Sequence, residues 1–204
     1  MTEFSSTSQQ DLKSITVFCG SSNGSEKIFT EKAFELGQKL AAENIQLIYG
    51  GASIGVMGSV ANGCLSAHGK VIGIIPKFLG TKEIAHPNLT ELITVDTMHE
   101  RKLKMHELAD GFIVLPGGIG TLEEFFEIFT WAQLGLHKKP IAILNTQDYY
   151  HDLIEFIENM VDKQFVKPIH KKLILVSEDI RDLLEQMKNY EAPDLGKFIT
   201  PETT

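Results

Sequence analysis

Cysteine is almost missing from this chain: Cys19 and Cys64 are the only two among 204 residues. Two thiols so far apart in sequence make neither a disulfide framework nor a metal-binding spacing, and both read as buried, reduced side chains. Basic residues are also in deficit. With 19 Lys and Arg against 27 Asp and Glu, the net charge is −8, the wrong sign for a general nucleic-acid binder, which needs a basic footprint. A small anionic ligand is not excluded, because the field inside a cleft can oppose the global sign. No apolar run approaches the ~20 residues of a membrane span. The opening MTEFSSTSQQ lacks the apolar stretch of a signal peptide, and a cytoplasmic protein is expected. The seven histidines are scattered and read as surface or loop residues. His99 and Glu100 have no third ligand at a sensible spacing, so no metal is expected.

What remains is ordinary soluble composition, 43% apolar and 23% charged, enough for one domain with a substantial core. Short apolar runs over 14–19, 46–49, 70–75, 91–95, 111–115, 140–144 and 173–176 read as strands. Amphipathic stretches over 26–43, 56–68, 98–109, 121–136, 149–163 and 179–189 read as helices, the first with Phe29, Ala33, Phe34, Leu36 and Leu40 inward. Strands separated by such helices need crossovers, which predicts a doubly wound, Rossmann-like α/β domain over 14–190, a mostly parallel sheet with helices on both faces. Residues 1–13 and 191–204 are expected to be flexible or peripheral, with Phe198 and Ile199 able to pin the tail. Ligands of such sheets bind beyond the carboxyl ends of the strands, where the strand order reverses.

Three glycine-rich loops fall at such ends: CGSSNG at 19–24, with Gly20 and Ser21; YGGASIGVMG at 49–58, with Gly51; and PGGIGT at 116–121. In the third, Gly117 and Gly118 permit backbone angles that other residues resist, and Gly120 permits close approach. The turn from strand to helix exposes N–H groups where a phosphate sits well. It is not a P-loop, and the 50–58 segment is not a standard dinucleotide fingerprint, though Gly51, Gly55 and Gly58 are spaced loosely like one. Glu124 follows in the first helical turn, where the helix dipole favours its ionised form. Thr121 and Glu124 also fit a capping box, a purely structural alternative. Arg101 and Lys102, just before the strand that feeds this turn, supply counter-charge, Arg bidentately and Lys as a point charge. Glu123 points elsewhere on the helix and is expected to be solvated or paired. Trp131, Phe125, Phe126 and Phe129 read as core or interface.

MHERK at 98–102 followed by PGGIGTLEE at 116–124 resembles the paired signature of the LONELY GUY (LOG) family, cytokinin riboside 5′-monophosphate phosphoribohydrolases long mislabelled as lysine decarboxylases. FCGSSNG, YGGASIGVMG and VIGIIP match the same pattern in order and spacing, so the resemblance runs over roughly residues 14–190. It implies hydrolysis of the N-glycosidic bond of AMP or an N6-substituted AMP, releasing the free base and ribose 5-phosphate. Carried over by position, Arg101 and Glu124 are the catalytic pair. Lys102 and the turn Gly117, Gly118, Ile119, Gly120 and Thr121 hold the nucleotide, with Glu83 and Thr130 near further binding positions. Met57 and Met98 are candidate walls for an N6 substituent. The resemblance further implies a homodimer with sites near the interface, the helix over 122–136 contributing to it. No metal, PLP or redox cofactor is called for. The competing reading is a nucleotide or cofactor carrier on the same scaffold, which would not need Arg101 and Glu124 together.

Overall fold

The computed structural model describes residues 10–80 and 85–195. The elements run β1 (Ser14–Phe18), α1 (Lys27–Ala42), β2 (Gln46–Tyr49), α2 (Gly55–Ser66), β3 (Val71–Pro76), α3 (Lys77–Gly80), β4 (Glu91–Val95) and α4 (Met98–Leu108). They continue with β5 (Gly111–Val114), α5 (Ile119–Gln133), β6 (Ile141–Leu144), α6 (His151–Asp162), β7 (Ile174–Ser177) and α7 (Ile180–Lys188). The strands form one sheet in the order β4-β3-β2-β1-β5-β6-β7, and every pairing in it is parallel. The doubly wound architecture is therefore present. Short α3 and the 3-10 turns Thr146–Asp148 and Pro168–Leu173 are additions that the apolar periodicity does not reveal, being too short to show a period.

The sheet divides the core in two because successive strand residues face opposite sides. Ile15, Val17, Leu47, Tyr49, Ile113 and Leu115 meet α1, α2 and α7 on one face. Phe18, Ile48, Phe112, Val114, Ile141 and Ile143 meet α4, α5 and α6 on the other. On α1 the buried stripe is Phe29, Ala33, Leu36, Gly37 and Leu40. Phe34, expected inside, is 36% exposed, since it lies one residue, or about 100°, off that stripe.

Three histidines are not at the surface, although two of them, His86 and His137, lie in loops as expected. His86, His137 and His170 are buried; the His137 ring bonds to the Ile128 carbonyl, and those of His86 and His170 to the Asn62 and Gln133 side chains. The packed chain also begins before Ser14: Leu12 is buried, and the Gln10 N–H donates to the Lys188 carbonyl. Phe198 and Ile199, with residues 1–9, lie outside the described residues.

The strand order reverses between β1 and β5. From β1 the chain winds outward through β2, β3 and β4; from β5 it winds the other way. The loops leaving β1 and β5 must therefore part to opposite faces and open a crevice between them.

Candidate active site

At that crevice the two loops are bound edge to edge. Leu115 N–H donates to the Phe18 carbonyl, and Gly20 N–H to the Pro116 carbonyl at 3.1 Å. Tyr150 hydroxyl donates to the Leu115 carbonyl at 2.8 Å, and Tyr149 hydroxyl to the Gly117 carbonyl at 2.6 Å. Three successive carbonyls of the turn are thus satisfied, which holds it in one conformation. Its amides are left over. α5 starts at Ile119 with Gly118 as its N-cap and no capping side chain. The N–H groups of Ile119, Gly120 and Thr121 reach no acceptor among the described residues. Unpaired donors at the positive end of a helix attract an anion.

The capping box expected of Thr121 and Glu124 does not form. α5 begins two residues earlier than expected, so Thr121 is a buried third helical residue and Glu124 lies in the second turn. A variant of that motif forms on α4, with the glutamate reaching the residue before the N-cap. There Thr97 accepts from Glu100 N–H at 3.1 Å, and Glu100 reaches back to Asp96 N–H at 2.8 Å. That arrangement sets the start of the helix that carries Arg101.

The glycines of the turn are needed for a different reason than expected. None of Gly117, Gly118 and Gly120 has a positive φ. A Cβ on Gly117 would stand 2.1 Å from the Thr121 hydroxyl and 2.8 Å from Gly20 N, whereas on Gly118 or Gly120 it would meet nothing within 4 Å. Gly117 is a packing requirement. Gly118 and Gly120 keep open the space in front of the bare amides.

Arg101 is buried and aimed by main-chain carbonyls: its Nε donates to Ile74 at 3.0 Å and its Nη2 to Gly50 at 3.2 Å. Its Nη1 lies 3.9 Å from Glu124 Oε1 and 3.9 Å from the Met98 sulfur. Glu124 is buried as well. Loss of hydration pushes its carboxyl up to about 7, Arg101 pulling it back only in part and Glu123 pushing the same way as burial. The ionised state expected from the helix dipole is overridden. The dipole acts within the first turn, and burial acts on the whole charge. Cys19 borders the pair as a buried thiol, its pKa raised by burial and by Glu124.

These groups open onto one cavity of about 330 Å³, lined by Gly20, Ser21, Arg101, Gly118, Ile119, Gly120, Thr121 and Glu124. Gly50, Cys19, Val17, the apolar side chains of Met57, Leu79, Met98 and Met105, and Glu123, expected to point elsewhere, complete it. Of these, Met105 shows no sequence signal beyond its place one turn along α4 from Arg101. Leu79 sits on the short helix that periodicity misses. A second cavity of about 340 Å³ shares Gly20, Ser21 and Gly118 and adds Gly117, Phe29 and Tyr149.

Several expected site residues are elsewhere. Lys102 does not line the cavity; its ammonium bonds to Glu123 and, at 3.0 Å, to Glu127. Burial works against that charge, but the two carboxylates outweigh it and its pKa is raised, the opposite of what a Schiff-base lysine requires. Thr130 is exposed and donates to the Phe126 carbonyl. Gly51 lines neither cavity, and its positive φ of 81° serves the loop in which its carbonyl accepts from His86 N–H. Glu83 lies outside the described residues. His151, Asp152 and Glu155 are grouped closely enough to share an ion, but all are exposed on α6 and line neither cavity. Among the described residues no helix is long and apolar enough to cross a membrane.

The chain is similar to known proteins in sequence and in fold. A family model described as "Possible lysine decarboxylase" matches residues 57–187. A cytokinin riboside 5′-monophosphate phosphoribohydrolase of Arabidopsis thaliana is 44% identical over 180 residues, 88% of this chain and 83% of that protein. One of Rhodococcoides fascians is 43% identical over 178 residues, 87% of this chain and 90% of that protein. Among solved structures, a molybdenum cofactor binding protein of Rippkaea orientalis superposes with a TM-score of 0.65 at 22% identity, over 86% of this chain and 94% of the other. A molybdenum cofactor carrier protein of Chlamydomonas reinhardtii gives 0.65 at 21%, over 85% and 96%; both likenesses speak for the fold alone. With the signature of Arg101, the glycine turn and Glu124 gathered at one crevice, the chain belongs to the LOG family of cytokinin riboside 5′-monophosphate phosphoribohydrolase proteins.

Proposed function

We propose that this protein hydrolyses the N-glycosidic bond of an N6-substituted adenosine 5′-monophosphate, giving the free base and ribose 5-phosphate. One observation carries the reading: the Arg101–Glu124 pair and the bare amides of α5 open onto the same cavity. The phosphate takes the amides of Ile119, Gly120 and Thr121, which tethers the ribose and brings C1′ toward Glu124. As the C1′–N9 bond breaks, its electrons leave with the base and positive charge builds on the sugar. The Glu124 carboxylate stabilises that charge and takes a proton from the water that adds to C1′. A carboxyl that titrates at about 7 accepts that proton from the water and hands it on to the departing base near neutral pH.

Arg101 has two of its three nitrogens committed to main-chain carbonyls, so it stands beside Glu124 at the sugar and base end, away from the phosphate. Met57, Leu79 and Met98 give the cavity an apolar wall, which suits an alkyl substituent on N6 better than the bare amine of AMP. The protein acts on this small molecule in the cytoplasm, not on nucleic acid, and works as a homodimer. Supporting the dimer, Leu103, Leu134 and Leu136 are exposed on or beside α4 and α5, the helices that carry the reacting pair.

Incubation with isopentenyl-AMP and with AMP, followed by chromatography for free base, tests the reading. Glu124→Ala is expected to lower kcat by ~10²–10³-fold while nucleotide still binds. Base release that survives this substitution removes the mechanism. Tight calorimetric binding to the unaltered protein with no release favours the carrier.

A further inference from the structure

The two tyrosines that grip the glycine turn do different things. Across a trans peptide the C=O and the N–H point in opposite directions, and no peptide bond among the described residues is cis. A hydrogen bond that fixes one carbonyl of the turn therefore aims the N–H of the next residue. The Tyr150 hydroxyl holds the Leu115 carbonyl, but Pro116 follows, and proline has no N–H to aim. Gly20 holds the Pro116 carbonyl, and the Gly117 N–H that follows is spent on the Tyr150 oxygen. The Tyr149 hydroxyl holds the Gly117 carbonyl at 2.6 Å, and this bond aims the Gly118 N–H. That amide has no acceptor among the described residues. Tyr149 lines the second cavity and not the first, whereas Gly118 lines both.

The loop that delivers Tyr149 is strained. Gln147 and Asp148 both take left-handed backbone, at φ 56° and 54°, a region that residues with a Cβ avoid. Two such residues in succession persist only where their surroundings over-determine them. Here the Asn145 side chain does so, donating to Asp148 at 3.1 Å and accepting from Tyr150 N–H at 2.8 Å. The Tyr149 ring then packs edge-on against Tyr150 and Phe29, at centroid distances of 4.8 and 5.7 Å. It stays 47% exposed all the same, so burial of an apolar ring does not account for the strain. We propose that Tyr149 is a positioning residue for the phosphate. Without touching the nucleotide, it turns the Gly118 N–H into the first cavity as a fourth donor beside those of Ile119, Gly120 and Thr121. The proposal rests on the reading that this turn holds a 5′-phosphate, and it stands whether the nucleotide is then cleaved or only carried.

Tyr149→Phe keeps the packed ring and removes only the hydroxyl. Its KM for isopentenyl-AMP is expected to rise about fivefold, the worth of one net hydrogen bond. Its kcat stays within about twofold, as when binding common to the ground state and the transition state is lost. Inhibition by isopentenyladenosine, which has no phosphate, stays within about twofold of wild type, a selectivity that a loosened fold would not show. A second readout needs no turnover: amide spectra of the nitrogen-15-labelled protein during titration with inorganic phosphate. In the wild type the Gly118 signal is expected to shift together with those of Ile119, Gly120 and Thr121. In Tyr149→Phe the midpoint of that titration moves about fivefold higher and the Gly118 response shrinks. A Gly118 amide that ignores phosphate in the wild type overturns the proposal. So does a KM and phosphate midpoint that stay in place in Tyr149→Phe, or a loss shared equally by isopentenyladenosine. Wild-type protein whose amides respond as expected but which releases no base defeats the hydrolase reading alone.

Discussion

Arg101 points where it does because Gly50 has no side chain. A Cβ at Gly50 would lie 2.1 Å from Arg101 Nη2 and 2.9 Å from the Met57 sulfur, both at the ends of flexible side chains. Those ends can swing aside, but the buried guanidinium then gives up its carbonyl hydrogen bonds, so Gly50→Ala is expected to cost about 1–3 kcal/mol. The guanidinium also leaves its place beside Glu124, and a displacement of that size costs about 10²-fold in kcat/KM. Thermal melts alongside initial rates check both halves; a stable, fully active variant shows that the aim of Arg101 is unimportant. The signature MHERK marked Arg101 as reactive, but nothing in it shows that Gly50, 51 positions upstream, shapes its pocket. Glu124 was equally legible as a site residue. Its proton affinity was not, because burial is a property of everything packed around it.

At the scale of elements, the pairing of α1 with α2 fixes where the YGGASIGVMG loop and Met57 stand. The two helices touch backbone to backbone. A Cβ on Gly63 of α2 would meet the Phe34 carbonyl at 2.0 Å, and one on Gly37 of α1 the Val60 carbonyl at 2.1 Å. Replacing a helical glycine by alanine ordinarily stabilises by ~1 kcal/mol through propensity. Here the added methyl group strikes rigid main chain, and overpacking of that kind costs about 1–3 kcal/mol or more. The steric term wins, so Gly63→Ala is expected to destabilise, measured as a lower denaturant midpoint at unchanged m-value. A neutral or stabilised variant means that the helices slide apart freely. The apolar period shows that α1 and α2 exist, while their glycine contact appears only once they are superposed. The start of α5 was misplaced for a similar reason. Thr121 and Glu124 satisfy a local capping rule, but the hydrogen bonds that hold the turn come from Tyr149, Tyr150 and Gly20, distant in the chain.

At the scale of the whole molecule, a second titratable cluster lies on the α4–α5 side of the sheet, outside the catalytic cavity. The His106 ring stacks on Phe112 and lies 5.1 Å from the His137 ring, and its buried Nε2 has no hydrogen-bond partner among the described residues. Burial first, then Lys139 and His137, depress its pKa to about 4. His137, His86 and His170 shift the same way, burial being the main cause for each. A histidine held neutral in the folded state and free to charge in the unfolded state makes unfolding take up protons. Stability is then lost as pH falls below the unfolded value of 6.5, and for His106 the loss levels off near 4. Allowing for partial solvent screening, His106 accounts for on the order of 1–2 kcal/mol across that window. His106→Phe keeps the stack and removes the proton site, so it is expected to lose less stability than the wild type between pH 7 and 4. Equal losses in the two proteins, read by urea unfolding at each pH, show that the cluster is indifferent to protonation.

Local chemistry alone settled a great deal: the alternation of strands and helices, the parallel doubly wound sheet, the glycine turn, and the arginine and glutamate that meet across the crevice. The fold follows from periodicity and crossover length, and the reacting pair from a two-part signature whose halves flank one strand. Folding in three dimensions assigned the rest. It turned Lys102 onto Glu123 and Glu127, buried three histidines, gave Arg101 its carbonyl anchors and lifted Glu124 to about 7. Each of those outcomes depends on which groups packing brings into one low-dielectric space, which neither the apolar period nor a motif reveals.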